Sequence, residues 1–334
     1  MKFKKFLKKL GIVILSVVVA LGLFWAVVNI IPSAKVVDEN PWIATDKPMI
    51  SAHRGGAALN PENTKMAFDY VIKETTYSDA VEFDVKLCKE DENGKAEIVI
   101  VHDDTINKVA LPEGSDPVYV HDLTYEELCN YNLGRNFAGR DNSFPYENYT
   151  IEEARLAGLT MMTLEQFLTE YKEVRDFKVL LEVKESDNTY AFPLVDKIME
   201  LLAKSENDWW DERIMIITIN DDVVDYMAEN YPTYHTGAIG YKIALGIIFN
   251  LVKLNSLYTP NFQSVQTKMV VSAAGIKLDV ATKDYIRSAH ARNQSVAYWT
   301  INEVSDMELL ISIGADIITT DAPDVLYETI QNSK

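Results

Sequence analysis

Cysteine is almost missing from this chain. Cys88 and Cys129 are the only two among 334 residues. They form no metal-type spacing and no disulfide framework. Two separate thiols is the simpler reading, although a single pairing outside the cell stays open to them. Low-complexity runs and internal repeats are also missing. Positive charge is short as well: the net charge is −18. Five of the lysines (Lys2, Lys4, Lys5, Lys8 and Lys9) sit in the first nine residues, so everything after them carries about −23 once those five charges are set aside. Such a surface disfavours nucleic acid as a partner, because phosphate backbones need a cationic face. A small phosphate ester held at a local cationic site remains compatible with it.

Charge of either sign is missing from Leu10 to Ile31, where only Ser16 and Asn29 are polar. An apolar helix of this length crosses a hydrocarbon core of about 30 Å. A buried soluble helix would be amphipathic, and this run is apolar all round. A cleaved signal peptide would have a shorter apolar region and a small-residue cleavage site, for which Pro32-Ser33-Ala34 is a poor match. The expectation is a single-pass membrane anchor. The lysines before it predict the N-terminus inside and the rest of the chain outside the cytoplasm. The expected organisation is a basic tail over 1–9, a transmembrane helix over 10–31, a polar linker over 32–47 and one large domain over 48–334.

That domain, in a chain that is 48% hydrophobic, has apolar residues enough for one large core. Short β-branched runs alternate with amphipathic stretches, the pattern of an α/β fold. Eight strands are expected: Met49–Ala52, Ala80–Asp84, Lys178–Val183, Arg213–Ile219, Thr236–Gly240, Met269–Ala273, Ser295–Thr300 and Ala315–Thr320. Helices fall between most of them, one opening at Asn63-Thr64 and another capped by Thr163. The pattern predicts a (β/α)8 TIM barrel with its site at the C-terminal strand ends. An open Rossmann-type sheet is the alternative, but no glycine-rich dinucleotide loop is present. Asn93-Gly94 between Val85–Lys89 and Ala96–His102 signals a β-hairpin. Its return strand should bring His102 back beside Glu82 and Asp84. Residues 104 to about 160 then read as an irregular insertion over the barrel mouth.

Alternation on a strand puts Glu82 and Asp84 on one face, and Glu182 and Lys184 likewise. Carboxylates on strands of Val, Leu and Ile are costly unless paired or bound to a cation. One such residue would more simply pair with Lys184 or an arginine; three at strand ends point to a metal. Oxygen-only ligands suit Ca²⁺ or Mg²⁺ better than Zn²⁺. His53 ends the first strand and His102 ends the hairpin. Two imidazoles can divide general acid and general base work near neutral pH. Arg54 offers a fork for phosphate oxygens, and Gly55-Gly56 would let the backbone pass close to a ligand. His121, His235 and His290 lack such a context and read as surface or structural residues.

These elements, His53-Arg54-Gly55, Pro61-Glu62-Asn63-Thr64, Glu82-Phe83-Asp84, His102-Asp103 and Glu182-Val183-Lys184, occur in the order of the motif string of the glycerophosphodiester phosphodiesterases. Ala297 to Asn302 and Ile317 to Asp324 resemble the closing strands of the same family. The resemblance runs from about Met49 to Tyr327. Each element alone is weak; the ordered set is specific. It implies a TIM barrel with an insertion after strand two. It further implies that Glu82, Asp84 and Glu182 hold one divalent cation, Ca²⁺ or Mg²⁺, and that His53 and His102 form the acid/base pair. Arg54 and Lys184 would bind the phosphate, Trp299 would line the pocket, and Glu62 would support from behind. Thr319-Thr320 departs from the usual Ile-Thr.

The apolar segment Lys242–Pro260 has no clear counterpart in the family. It reads as a barrel helix or packed insertion, with an interfacial patch near the membrane as the functional alternative. The expected reaction is metal-dependent hydrolysis of a glycerophosphodiester to glycerol 3-phosphate and an alcohol. The alternatives are a phospholipase-type enzyme acting on lysophospholipid or phosphoinositide head groups, and a catalytically silent membrane-anchored binding protein.

Overall fold

The computed structural model describes residues 2–273 and 275–333. It opens with one helix, Lys2–Ile30, long and apolar enough either to cross a bilayer or to act as a signal sequence. Eleven strands follow: β1 (Met49–Ala52), β2 (Ala80–Leu87), β3 (Ile98–Ile100), β4 (Lys178–Val183), β5 (Ile214–Thr218), β6 (His235–Ala238), β7 (Ser264–Thr267), β8 (Val270–Ala273), β9 (Ile276–Asp279), β10 (Ser295–Tyr298) and β11 (Ile317–Thr320).

Eight of them close a parallel barrel in the order β1-β2-β4-β5-β6-β7-β10-β11, with β11 returning to β1 through the register Met49↔Ile317. This is the TIM barrel that the alternation predicts. β3 pairs antiparallel with β2 (Val85↔Ile100), so the hairpin forms as expected. Its turn is held by Asp91, whose Oδ1 accepts from the backbone N–H groups of Asn93 and Lys95.

One strand lies elsewhere than expected. The run at Met269–Ala273 is not a barrel stave; Val270–Ala273 pairs antiparallel with Ile276–Asp279 in a separate two-stranded ribbon. The stave is Ser264–Thr267, in register with β10 (Val265 opposite Val296). Its composition hides it. Ser264 and Gln266 are fully buried but point into the barrel, where Gln266 Nε2 donates to Ser264 Oγ at 3.0 Å. Only Val265 faces the apolar layer under the helices.

The outer layer follows from strand alternation. Val81, Phe83 and Val85 of β2 and Val179, Leu181 and Val183 of β4 pack outward with Phe68, Phe167 and Trp210. Their neighbours Glu82, Asp84, Leu180 and Glu182 therefore face inward. Helices end where their caps dictate: Thr64 Oγ1 accepts from Ala67 N–H, and Thr163 with Gln166 makes a reciprocal capping box at helix Leu164–Tyr171.

The barrel floor is closed from an unexpected source. Trp42, in the polar 32–47 segment, is fully buried against Leu180, Met215, Ala297 and Ile317. Asn40 Nδ2 donates to the carbonyls of Gln263 and Asn293, and Ala44 N–H to Asp316 Oδ1. The insertion after β3 carries its own small core of Ile106, Val120, Leu128 and Leu133, packed on Val99 of β3. It grips the mouth rim through Arg140, which makes two 2.7 Å bonds to Asp324, and through Lys108, which donates to Glu62.

Candidate active site at the barrel mouth

The site begins where β1 ends. Ala52 is the last strand residue, and the chain then turns sharply with Arg54 at φ 51°, Gly55 at φ 82° and Gly56 at φ 88°. A Cβ on Gly55 would lie 2.9 Å from Ala67 Cβ. The packing of this turn on helix Lys65–Asp69 therefore requires a glycine. The turn delivers His53 into the mouth and aims the Arg54 N–H at Glu82 Oε2, 2.9 Å away.

Each histidine is held by a carboxylate. His53 Nδ1 lies 2.6 Å from Asp321 Oδ1, and His102 Nδ1 lies 2.5 Å from Asp103 Oδ1. A carboxylate can only accept, so each Nδ1 carries hydrogen and Nε2 is left for chemistry. His53 Nε2 faces Glu82 Oε2 at 3.9 Å. Burial works against the Asp321 charge, but the His53 contact outweighs it and keeps this carboxyl below the ordinary range. The His102 bond depresses the Asp103 carboxyl in the same way. Asn302 steadies Asp321 from the other side, Nδ2 to Oδ2 at 2.6 Å.

Glu82, Asp84 and Glu182 converge as expected. Each is buried, and one oxygen from each lies within 4.8 Å of the others. Among the described residues, Glu82 Oε1 and Asp84 Oδ1 have no hydrogen-bond partner. Burial, then Asp84 and Glu182, drives the Glu82 carboxyl well above the usual range. Burial and Asp84 raise Glu182 as well. Three buried carboxylates turned toward one another with oxygens to spare are unfavourable as a purely protein structure. The same arrangement suits a hard divalent cation. These residues fit such an ion.

The cationic groups flank the acids. Lys184 Nζ donates to Glu182 Oε1 at 2.8 Å and sits 3.6 Å from Asp84 Oδ1, beyond hydrogen-bond length. Burial opposes its charge, but Glu182 and Asp84 outweigh that and hold it above its ordinary value. Arg54 Nη1 donates to Glu62 Oε1 at 2.8 Å, and its Nε lies 3.6 Å from Asp84 Oδ2. Trp299 joins His53, Glu82, Glu182, Ile217, Gln266 and Thr319 around a small cavity of about 20 Å³ at the base of the mouth. His102 enters from the hairpin, one residue after Val101, whose N–H bonds the Asp84 carbonyl.

All eight expected residues thus occupy one mouth. Sequence reasoning left out Asp321, Asp103 and Asn63 as working parts. Asp321 and Asp103 lie inside quoted motif strings, and adjacency marks Asp103. Asn63 and Thr64 together fit a helix cap by sequence; Thr64 is the cap, while Asn63 turns at φ 58° and its Nδ2 meets Asp84 Oδ2 at 3.2 Å. Gln266 had no sequence signal. His290 and His235 are structural as expected: His290 Nε2 contacts Asp316, and His235 stacks edge-on to Trp42.

A parallel barrel with acid, imidazole and guanidinium groups at its C-terminal strand ends has the layout of a TIM-barrel enzyme, which does not fix one chemistry. Residues 53–325 match the Glycerophosphoryl diester phosphodiesterase family. The chain belongs to that family. A glycerophosphodiester phosphodiesterase of Bacillus altitudinis is 24% identical over 277 residues, covering 82% of this chain and 95% of the relative. The crystal structure of a glycerophosphodiester phosphodiesterase from Parabacteroides distasonis superposes with a TM-score of 0.60 at 16% identity, covering 87% of this chain and all of the other. An Oleispira antarctica phosphodiesterase, solved with the product sn-glycerol-3-phosphate, superposes with a TM-score of 0.59 at 15% identity, over 86% of this chain and 98% of the other.

Proposed function

We propose that the chain hydrolyses glycerophosphodiesters to glycerol 3-phosphate and an alcohol, with Glu82, Asp84 and Glu182 holding one Ca²⁺ or Mg²⁺. The observation that carries this reading is the paired geometry at the mouth: three facing carboxylates, two of them with an orphaned oxygen, beside two histidines each oriented by an aspartate. A bound divalent cation supplies positive charge against the phosphoryl oxygens as negative charge builds there. Arg54 and Lys184 bring two further positive groups to the same edge and position the phosphodiester. Trp299 walls the pocket on one side.

His53 and His102 divide the proton work. One Nε2 takes a proton from the nucleophile as its oxygen bonds to phosphorus: a water gives glycerol 3-phosphate directly, whereas the neighbouring glycerol hydroxyl gives a cyclic phosphate that a water then opens, the two histidines exchanging roles. The other Nε2 gives a proton to the departing alcohol oxygen as its bond to phosphorus breaks. Asp321 and Asp103 hold the Nδ1–H of each ring, leaving Nε2 of the base bare and stabilising the doubly protonated imidazolium from which the acid gives its Nε2 proton. The product seen with the Oleispira antarctica relative supports glycerol 3-phosphate as the retained half.

Replacing His53 or His102 with Ala should lower kcat by about 10²- to 10⁴-fold while circular dichroism and Tm stay near those of the parent. Unchanged turnover in both variants would remove the acid/base assignment. A silent binding role is disfavoured because every position of the acid, base and cation set is filled. The N-terminal helix we take as an uncleaved anchor, N-terminus inside, with the barrel outside the cytoplasm.

A further inference from the structure

The anchor helix does not merely tether the barrel; it docks on it at one end. Trp25 Nε1 donates to the Val252 carbonyl at 3.3 Å, Asn29 Nδ2 to the Lys253 carbonyl at 2.8 Å, and Ser256 Oγ to the Val28 carbonyl at 2.7 Å. Val28 is 3% exposed, buried by this contact in a helix otherwise open to its surroundings. Residues 252–256 follow helix Tyr241–Leu251 and lead down to the first residue of β7. They therefore belong to the floor of the barrel. The catalytic groups sit on the strand ends opposite. A helix of 11 residues separates the two ends by about 16 Å.

The contact itself is lined by polar residues, among them Asn250, Lys253, Asn255 and Asp284. Ile248, Leu251, Val252 and Leu257, on the same stretch of chain that bonds the anchor helix, are each about half exposed. Nothing in the protein covers them among the described residues. Lys253 and Arg287 flank the patch and share Asp284. They are cationic groups on a chain that is otherwise strongly acidic. Scattered exposed apolar residues need no explanation, but a patch joined to a membrane-crossing helix and edged by basic groups does.

We infer that this patch is a second membrane contact, seating the floor of the barrel in the bilayer interface beside the anchor and turning the catalytic mouth away from the membrane. The occupant is the lipid surface of the anchoring bilayer. The apolar side chains enter the acyl boundary, and Lys253 and Arg287 reach the phosphate level. It follows, resting on the phosphodiesterase reading, that the substrate arrives from the aqueous side. Its class is a soluble glycerophosphodiester or a chain-like glycerol-phosphate ester, and not an intact lipid embedded in the same leaflet. The apolar Lys242–Pro260 segment would thus orient the enzyme rather than admit lipid.

The full chain in lipid nanodiscs tests this, with Cys88 and Cys129 replaced by alanine and one fluorophore-bearing cysteine at Leu251→Cys or Tyr190→Cys. Tyr190 is exposed at the mouth end, one turn into the helix after β4. Spin-labelled lipid should quench the label at 251 at least threefold more than the label at 190. Equal quenching, or stronger quenching at 190, would overturn the orientation. Should these variants not fold, hydrogen exchange on the unmodified chain decides: residues 248–257 should exchange at least tenfold more slowly in nanodiscs than in the Ile248→Glu/Leu251→Glu chain, and equal rates would overturn the docking.

Turnover forms a separate arm. With Mg²⁺ or Ca²⁺ present, soluble glycerophosphocholine should be cleaved at least tenfold faster than lysophosphatidylcholine carried in the same nanodisc. Preference for the embedded lysolipid would overturn the substrate inference. Cleavage of neither would remove the phosphodiesterase reading and with it the substrate inference, while the quenching result would still decide the docking.

Discussion

His53 and His102 come from different parts of the chain, yet both give their Nδ1 edge to an aspartate, at 2.6 and 2.5 Å. If the two histidines do the proposed acid/base work, each carboxylate fixes its ring and tautomer without touching the reacting atoms, and Asp321 and Asp103 are positioning residues. Asp321→Asn should lower kcat by roughly tenfold or more with KM little changed, because the amide can present its N–H to Nδ1 and turn the ring over. Asp321→Glu should recover part of the loss if its longer arm still accepts from Nδ1. Steady-state kinetics on both variants checks this. Equal kcat for Asp321→Asn and the parent would show that His53 does not depend on this contact.

At the level of elements, the turn after β1 is the joint on which the site depends. Gly55 sits at φ 82° with only 2.9 Å between its missing Cβ and Ala67. Gly55→Ala should cost about 1–3 kcal/mol and displace His53 and Arg54, so that both Tm and kcat fall. The distal cap is a useful contrast: Thr163→Ala should cost about 1 kcal/mol and leave kcat unchanged. Thermal melts with parallel assays separate the two.

What could be read from the sequence follows the same physics. Seven staves announced themselves through β-branched runs, and the hairpin through Asn93-Gly94. β7 stayed hidden because a stave that lines the barrel with Ser264 and Gln266 has no apolar alternation to show. The apolar run just after it, at Val270–Ala273, drew the expectation instead. The candidate site cluster was legible because charged groups at the ends of apolar strands are costly and therefore conspicuous. Trp42 was not, since nothing in a polar segment signals that its one large ring will plug the floor of a barrel. The supporting contacts of Asn63 and Asp321 depend on turns whose geometry only the folded chain reveals.

For the whole molecule, one charge cluster ties the first barrel helix to the insertion's return. Lys65 and Lys73 both bond Asp69 and Glu170, joining residues 65–74 to helix Leu164–Tyr171. Burial raises both carboxyls, but the lysine bonds outweigh it and hold them below their ordinary values of 3.8 and 4.5. A carboxyl depressed in the folded state stabilises it above the unfolded value. That contribution disappears as pH falls through the depressed folded value. Loss should therefore begin near pH 4.5 and grow as the acid range deepens. Asp69→Asn/Glu170→Gln should be less stable than the parent at pH 7, and the gap in Tm should narrow below about pH 4. A gap that does not change with pH would show that these ion pairs contribute nothing.

On the proposed function, the three buried carboxylates Glu82, Asp84 and Glu182 hold a divalent cation that phosphodiester cleavage requires. The direct measurement is release of glycerol 3-phosphate from glycerophosphocholine by the full-length, metal-stripped protein in detergent, with and without added Ca²⁺ or Mg²⁺, beside Glu82→Ala. No release is expected without metal, release on adding one of the two ions, and none from the Glu82→Ala protein under any condition. Equal release with and without metal, or full activity in Glu82→Ala, would contradict the proposed function.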